Sequence, residues 1–569
     1  MKSSNSSKYD RILLMLLPFH PPLIPPLGIA CLKSFLTTHG FEVKTINANT
    51  DEELKMYYYR YFKVLSKSIP QENQANFHNI GNELLRQHMM AYIHYNDKKE
   101  YEELVKSIIH NTFFCDFNDE LIRQLNHILE EYYSHLKDYC LEVLASEKPQ
   151  LLGISVFKGT IPSSLFVFKL AKERYPNLLT VMGGGVFADQ LAYGSPDLES
   201  FVEKTPYIDK YLIGEGENLL LQLAQNQLPA TQRVFTLRDA EPPVVDFSSV
   251  GTPDFSDFDV GHYPYLANYT SRSCPYQCTF CGETVFWGKY RKKSKEQILH
   301  EIEQLYRKHN HQLILICDSL LNPTIDSIAE NVMENNLPVY WDGYLRLDKP
   351  VCQYENTLRW RRGGFYRARL GVESGSQRIL DLMDKKITTE QIKSAVASLA
   401  KAGIKTTTYW IAGYPGETEE DFQQTLDLIE EMKNDIYEAE ANPFWYYLNA
   451  LVKSDEWAKH CVCLYPEQAN RMLLLPTRVL NIDPLPEERF QRMKRFTQHC
   501  NRLGIPNPYS MGDIYQADKR WQRLHTNAVP PLNDFLTKEK VDRLREVPPM
   551  PIHHDEPEDP EDIFGFSVD

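Results

Sequence analysis

The stretch SRSCPYQCTFCGE places Cys274, Cys278 and Cys281 within eight residues of a 569-residue chain that has eleven cysteines in all. The spacing C-x3-C-x2-C lets three thiolates converge on one soft metal centre, because thiolate sulfur suits zinc and iron–sulfur clusters. Cysteines kept only for packing have no reason to crowd in this way. A zinc site wants a fourth ligand at finger or ribbon spacing. Cys317 and Cys352 are the candidates, and both lie on or near other elements. A disulfide is disfavoured in a reducing compartment. An iron–sulfur cluster with one open iron needs only three protein thiolates.

Elements must position these cysteines, and the sequence around them alternates. A strand is expected at 266–272, followed by helix 294–309, strand 312–317, helix 324–335, strand 338–343 and helix 353–362. The pattern continues with strand 366–372, helix 387–402, strand 404–413, helix 418–433 and a strand from about 437 to 449. Six such units predict a parallel sheet curled as a full or partial barrel. The fold class is α/β, with the cysteine loop at the end of the barrel's first strand. Upstream, RILLMLL reads as a buried strand, Leu27–Gly40 as a helix ended by Gly40, and FEVKTINAN as a second strand. Residues 51–148 look helical and are too long for a loop, so they form a helical insertion. LLGISVF resumes the strands, followed by helix 163–175, LLTVMGGG, YIDKYLIGEGE and a further helix. This predicts a Rossmann-like (flavodoxin-like) domain over 1–227, a linker over 228–264 rich in Pro, Asp and Ser, and the barrel over 265–469. A mostly helical region follows at 470–549, then an acidic tail at 550–569 expected to be disordered.

So placed, CPYQCTFC resembles the signature of the radical SAM enzymes, with Phe280 as the aromatic before the last cysteine. The resemblance implies that Cys274, Cys278 and Cys281 hold a [4Fe–4S] cluster. It implies that S-adenosylmethionine chelates the open iron and is cleaved to a 5′-deoxyadenosyl radical. GVESGSQRIL resembles the family's fourth-strand motif. Glu373 and Ser374 would serve the ribose or methionine end of the cosubstrate, and Gly371 and Gly375 would let the backbone come close. Ser376 also reads as a helix N-cap. WIAGYPGETEEDF, with Gly413, resembles the fifth-strand motif beside the adenine. Thr418 with Asp421 also reads as a capping start. CDSLLN ends the second strand, where the family often carries an acid near the cosubstrate's amino group, so Asp318 is the candidate; the usual Gly-Gly-Glu is absent. Arg346, ending the third strand, could bind a carboxylate or form a surface salt bridge.

LGISV, VMGGGVFAD and YLIGEGE resemble the cobalamin-binding domain that precedes many radical SAM barrels. Gly153, Ser155, Gly183, Gly184, Gly185, Gly214, Glu215 and Gly216 would line the edge that meets the corrinoid. The D-x-H-x-x-G motif, whose His ligates cobalt from below, does not occur, so the lower axial position is unassigned. LPFHPPLIPPLGIACLK and CTFCGETVFWGKYRKKS look like radical SAM proteins that modify ribosomally made peptides. The resemblance covers roughly 10–49, 150–225 and 265–450.

A net charge of −15 argues against nonspecific nucleic-acid binding, which needs basic surface. No run of about 18 apolar residues exists to span a membrane. The apolar Ile12–Leu17 is broken by Pro18 and lacks the features of a signal peptide. A cytoplasmic location is expected. The expected partners are the small-molecule cosubstrate, an electron donor such as flavodoxin or ferredoxin, and a substrate for which a precursor peptide is one candidate. With methylcobalamin above the substrate the outcome is C-methylation, the favoured reading. With a thiol there, from Cys461, Cys463 or Cys352, it is epimerisation, and ring formation is a further alternative. Each of these thiols can equally be an ordinary semi-buried cysteine. A non-catalytic cobalamin- or peptide-binding regulator is a third reading.

Overall fold

Two parallel six-stranded sheets carry the chain in this computed structural model, which describes residues 9–525 apart from 75, 116, 190, 447–453, 476–477 and 508–510. The expected acidic tail lies outside the described residues. The first sheet contains β1 (Arg11–Leu16), β2 (Glu42–Asn47), β3 (Leu151–Ser155), β4 (Leu179–Gly183), β5 (Lys210–Ile213) and β6 (Val234–Thr236). Their order is β2-β1-β3-β4-β5-β6. After its first residue β1 is buried throughout, as a parallel strand covered on both faces must be. Helix α1 (Leu27–Thr38) connects β1 to β2.

The insertion is helical, as expected: α2 (Glu52–Ser68), α3 (Gln71–Gln74), α4 (Phe77–His94), α5 (Lys98–Phe113) and α6 (Asp119–Glu147). Asp51, Asp97 and Asn118 cap α2, α5 and α6 by accepting from backbone N–H groups of the first turn. An aromatic core including Tyr59, Tyr61, Phe62 and Tyr132 binds the helices together.

Residues 228–264, expected as an irregular linker, supply β6, which pairs with β5 from Tyr211↔Val234 onward. Val245, Phe247 and Val250 of the same stretch pack on Cys31, Phe35 and Tyr269. A three-residue strand has no periodicity to read, and only its partner defines it.

The second sheet runs from β7 (Leu266–Asn268) through β10 (Leu313–Ile316), β11 (Tyr340–Leu345), β12 (Phe365–Glu373) and β13 (Lys405–Ala412) to β14 (Glu438–Pro443). A short ribbon of β8 (Ser271–Arg272) and β9 (Arg291–Lys292) lies between β7 and β10 in sequence. Among the described residues β14 and β7 do not pair, so the barrel is partial. The open β14 edge is covered from two sides. Asn76, just before α4, donates to Ala441 O at 2.9 Å, and Ala439 N donates to Pro506 O at 3.1 Å. Such cover is how a sheet edge avoids pairing with other chains. Helix Met511–Leu524 lies across the strands' N-terminal ends. There Tyr437 OH donates to Asp518 at 2.8 Å, Lys405 pairs with the same carboxylate, and Ile514 packs by Tyr265 and Tyr366. β15 (Cys461–Cys463) and β16 (Arg478–Leu480) form an antiparallel hairpin, so β16 stands in a region expected to be helical. No described helix is long and apolar enough to cross a membrane.

Candidate active site at the strand ends

The cysteine loop leaves the β8–β9 ribbon and is pinned on its far side. Ser273, at φ 72°, donates through Oγ to Gly288 O at 2.6 Å. Thr279 N donates to Met383 O at 3.0 Å, and Thr279 Oγ1 lies 2.7 Å from Tyr414 OH. The cysteine, fourth-strand and fifth-strand motifs therefore meet at one place. Cys278 is buried, and Cys274 and Cys281 are half-buried. Burial raises the Cys274 thiol and pushes Cys281 up to about 12, with Cys278 raising both further. Among the described residues no three His, Cys, Asp or Glu side chains surround a point as ligands of one metal ion. A multi-iron cluster makes a different demand, since each thiolate binds its own iron. Cys352, one possible fourth zinc ligand, faces the Asp348 and Gln391 carbonyls instead.

Among the described residues Arg346 forms no salt bridge. It is 6% exposed, its guanidinium lies 4.0 Å over the Tyr276 ring, and Nη1 is 3.7 Å from Cys278 Sγ. Asn322 fixes its backbone with two hydrogen bonds of 2.8 and 2.9 Å. Nη2 is buried with no partner among the described residues. A buried guanidinium nitrogen left open beside a thiol suits an anionic group at that spot.

Asp318 is different from expectation. Its Oδ1 accepts from Thr270 N at 2.6 Å and Ser271 N at 3.1 Å, and Oδ2 from the Thr270 and Ser271 hydroxyls. A carboxylate has about four acceptor sites, so none is left for a cosubstrate amino group. Asp318 instead ties the end of β10 to the residues that lead into the cysteine loop. Ser374 is likewise turned inward, accepting from Ser376 N at 3.1 Å. Glu373 ends β12 at φ 70° and receives Lys385 Nζ at 2.7 Å, with that ammonium 5.8 Å from the Phe280 ring. A Cβ on Gly375 would meet Gln424 O and Thr425 Cα at 2.6 Å, so helix packing explains this glycine. Gly413, at φ 79°, donates to Glu417 Oε2 at 2.9 Å, and Arg492 holds that carboxylate at 2.8 Å. Both expected caps are present, at Ser376 and Thr418.

The expected edge of the first sheet faces this loop across a cavity of about 370 Å³. All eight of its residues, from Gly153 to Gly216, line the cavity, opposite Ser271, Arg272, Ser273, Trp287, Cys317 and Ser319 of the barrel. Gly184 and Gly214 sit at φ 109° and 104° and are required by their own turns. Gly28 of α1 also lines the cavity, and a Cβ there would meet nothing within 4 Å. This is a cradle that a side chain would fill.

Glu215 lines the cavity, but its carboxylate is directed elsewhere. It accepts from Val245 N at 3.1 Å and pairs with Arg291 and, at 3.4 Å, with Arg272. Glu217 binds Arg272 at 2.5 Å. Arg272 also lies 4.9 Å from the Tyr269 ring and 5.6 Å from Trp287. Sequence reading missed Arg272 and Glu217. The available signal was an arginine two positions before the first motif cysteine. Cys461 and Cys463 stand on β15, and neither lines this cavity. Cys461 packs among Phe444, Tyr446 and Trp457, in the same apolar cluster as Phe280.

The sequence matches the radical SAM superfamily over residues 268–429. It is 26% identical over 329 residues to an anaerobic magnesium-protoporphyrin IX monomethyl ester cyclase of Rubrivivax gelatinosus, covering 53% of this chain and 57% of that one. The chain thus spans little more than half the length of this relative. Its fold resembles that of the radical S-adenosylmethionine methyltransferase TsrM from Kitasatospora setae, solved with cobalamin and a [4Fe–4S] cluster bound: 14% identity, 85% of each chain, TM-score 0.53. It also resembles OxsB, a cobalamin-dependent S-adenosylmethionine radical enzyme solved with aqua-cobalamin and S-adenosylmethionine bound: 16% identity, 95% of this chain and 66% of that one, TM-score 0.52. At such identities the likeness is one of fold.

Proposed function

This chain carries a radical SAM domain at residues 268–429, and from that premise we propose a cobalamin-dependent enzyme that functionalises an unactivated C–H bond, most simply by C-methylation. One observation carries the reading. The glycine edge of the first sheet and the residues flanking Cys274 wall the same cavity. A corrinoid held by that edge would therefore look onto the cysteine loop. When bound, the cluster, S-adenosylmethionine and the corrinoid would supply an electron, a hydrogen-abstracting radical and a methyl group.

The chain's own residues would do the rest. Cys274, Cys278 and Cys281 would hold the cluster. Arg346 would give its open Nη2 to the cosubstrate's carboxylate. Asp318 and Arg272 would fix the loop and the two sheets around it. A precursor peptide as substrate and a flavodoxin or ferredoxin as electron donor belong to the same proposal. The thiols of Cys461 and Cys463 stand outside this cavity, but Cys461 packs in the apolar cluster that includes Phe280, so epimerisation with a thiol donor is the second reading.

The test is anaerobic reconstitution with iron, sulfide and hydroxocobalamin. The full chain is expected to take up iron with visible cluster absorption, and Cys278→Ala to lose it. Gly28→Leu is expected to keep its iron but bind corrinoid at least tenfold more weakly, since its side chain enters the cradle. Bound zinc without iron would sink the radical reading. Failure of any corrinoid to bind would remove the basis for methylation alone.

A further inference from the structure

Along three strands of the second sheet, the side chains of one face are only half-buried. Along β12 Arg367, Arg369, Gly371 and Glu373 are half-buried while the residues between them are buried. Tyr409 and Ile411 on β13, and Glu440 and Asn442 on β14, follow the same alternation. Tyr344 is 43% exposed although β11 lies between β10 and β12 and its neighbours Gly343 and Leu345 are buried. An exposed ring on an interior strand needs open space in front of it. Helix Met511–Leu524 lies across the other end of the strands, so that space opens toward the cysteines. Arg346, whose Nη1 is 3.7 Å from Cys278 Sγ, follows the last residue of β11, two residues and roughly 6.6 Å along the chain from Tyr344.

The charges on this face do not balance locally. Arg369 is held by Asp342 Oδ2 through Nε at 3.1 Å and Nη2 at 2.8 Å, and reaches Tyr409 OH at 3.4 Å. Glu440, the register partner of Tyr409, has no such cation. Its Oε1 accepts from Asn79 Nδ2 at 2.6 Å and Asn442 Nδ2 at 3.2 Å, both neutral amides. Among the described residues no Lys or Arg pairs with it. The Tyr409 ring stands next to it in register, and the Tyr344 ring lies 6.1 Å beyond Tyr409. A carboxylate withdrawn from water gains from an opposite charge, and a tyrosine face attracts a cation.

We propose that Glu440, with Tyr409 beside it and Tyr344 beyond that ring, anchors a protonated amine of the substrate beneath the cysteine loop, with Asn79 of the helical insertion holding the carboxylate in place. The site selects a substrate with a basic nitrogen, either a free amine or a lysine side chain of a peptide. The inference rests on the radical SAM reading for the fate of the substrate and not for its binding.

The experiment titrates the reconstituted full chain with phenethylamine, N-acetyl-lysinamide, 2-phenylethanol and 3-phenylpropionate by calorimetry. At least one amine is expected to bind in the millimolar range or tighter, and the tighter of the two identifies the source. The alcohol and the acid are expected not to bind. Glu440→Gln, which keeps an acceptor for the amides, is expected to weaken amine binding at least tenfold, and Tyr344→Ala about fivefold. Unchanged thermal unfolding of both variants excludes misfolding as the cause. Amine binding that is absent from the parent, that survives Glu440→Gln, or that is matched by the acid overturns the inference. Iron content is read on the same samples. A chain that holds its cluster and ignores the amines loses this inference alone, whereas one that binds amine without iron loses the radical reading alone.

Discussion

At the scale of single residues, Arg346 separates two roles that look alike in a structure. Its guanidinium sits on Tyr276 and beside Cys278 with one nitrogen unpartnered. If that nitrogen serves the cosubstrate, Arg346→Gln is expected to cut 5′-deoxyadenosine formation at least tenfold while iron per chain stays unchanged. A parallel loss of iron would assign Arg346 to packing the loop. The cysteines, Arg346 and the glycine edge were legible in the sequence because each belongs to a local pattern at the end of a strand. Asp318 and Glu215 were legible as strand-end positions, but their partners were not. The first spends its acceptors 47 and 48 residues away on Ser271 and Thr270, and the second meets Arg291 across 76 residues. No local spacing encodes such partners.

At the scale of elements, one carboxylate joins the turn after β12 to the start of helix Glu419–Glu431. Asp421 accepts from Ser376 Oγ at 2.6 Å, from Thr418 N at 2.8 Å and Oγ1 at 2.6 Å, and from Arg378. Burial pushes its pKa up, but the hydrogen bonds of Arg378, Ser376 and Thr418 outweigh burial and hold it well below the ordinary value. A depressed folded pKa stabilises fully above the unfolded value of about 3.9 and is lost as pH falls through the folded value. Asp421→Asn is therefore expected to cost about 1–3 kcal/mol at neutral pH. The gap to the parent should narrow below pH about 4, read by urea unfolding across pH. Long helices and buried strands declared themselves through periodicity. β6, β15 and β16 have three residues each and exist only through their pairing.

At the scale of the whole molecule, Arg272 holds the first sheet's glycine edge to the barrel through Glu217 and Glu215. Removing one partner of a buried pair strands the other, at a cost of about 3–5 kcal/mol. Arg272→Met is expected to lower the unfolding temperature and to weaken corrinoid binding. The double variant with Glu217→Gln should recover part of the loss in unfolding free energy, and simple additivity would show that the two do not act as a pair. The insertion's place at the β14 edge bears on how the chain is made. Asn76 meets Ala441 across 365 residues. At about 5–20 residues per second, the ribosome delivers the strand roughly 20–70 s after the segment that covers it. For that interval the nascent chain holds a finished cap with nothing to close, and an aborted product ending before β14 keeps it permanently.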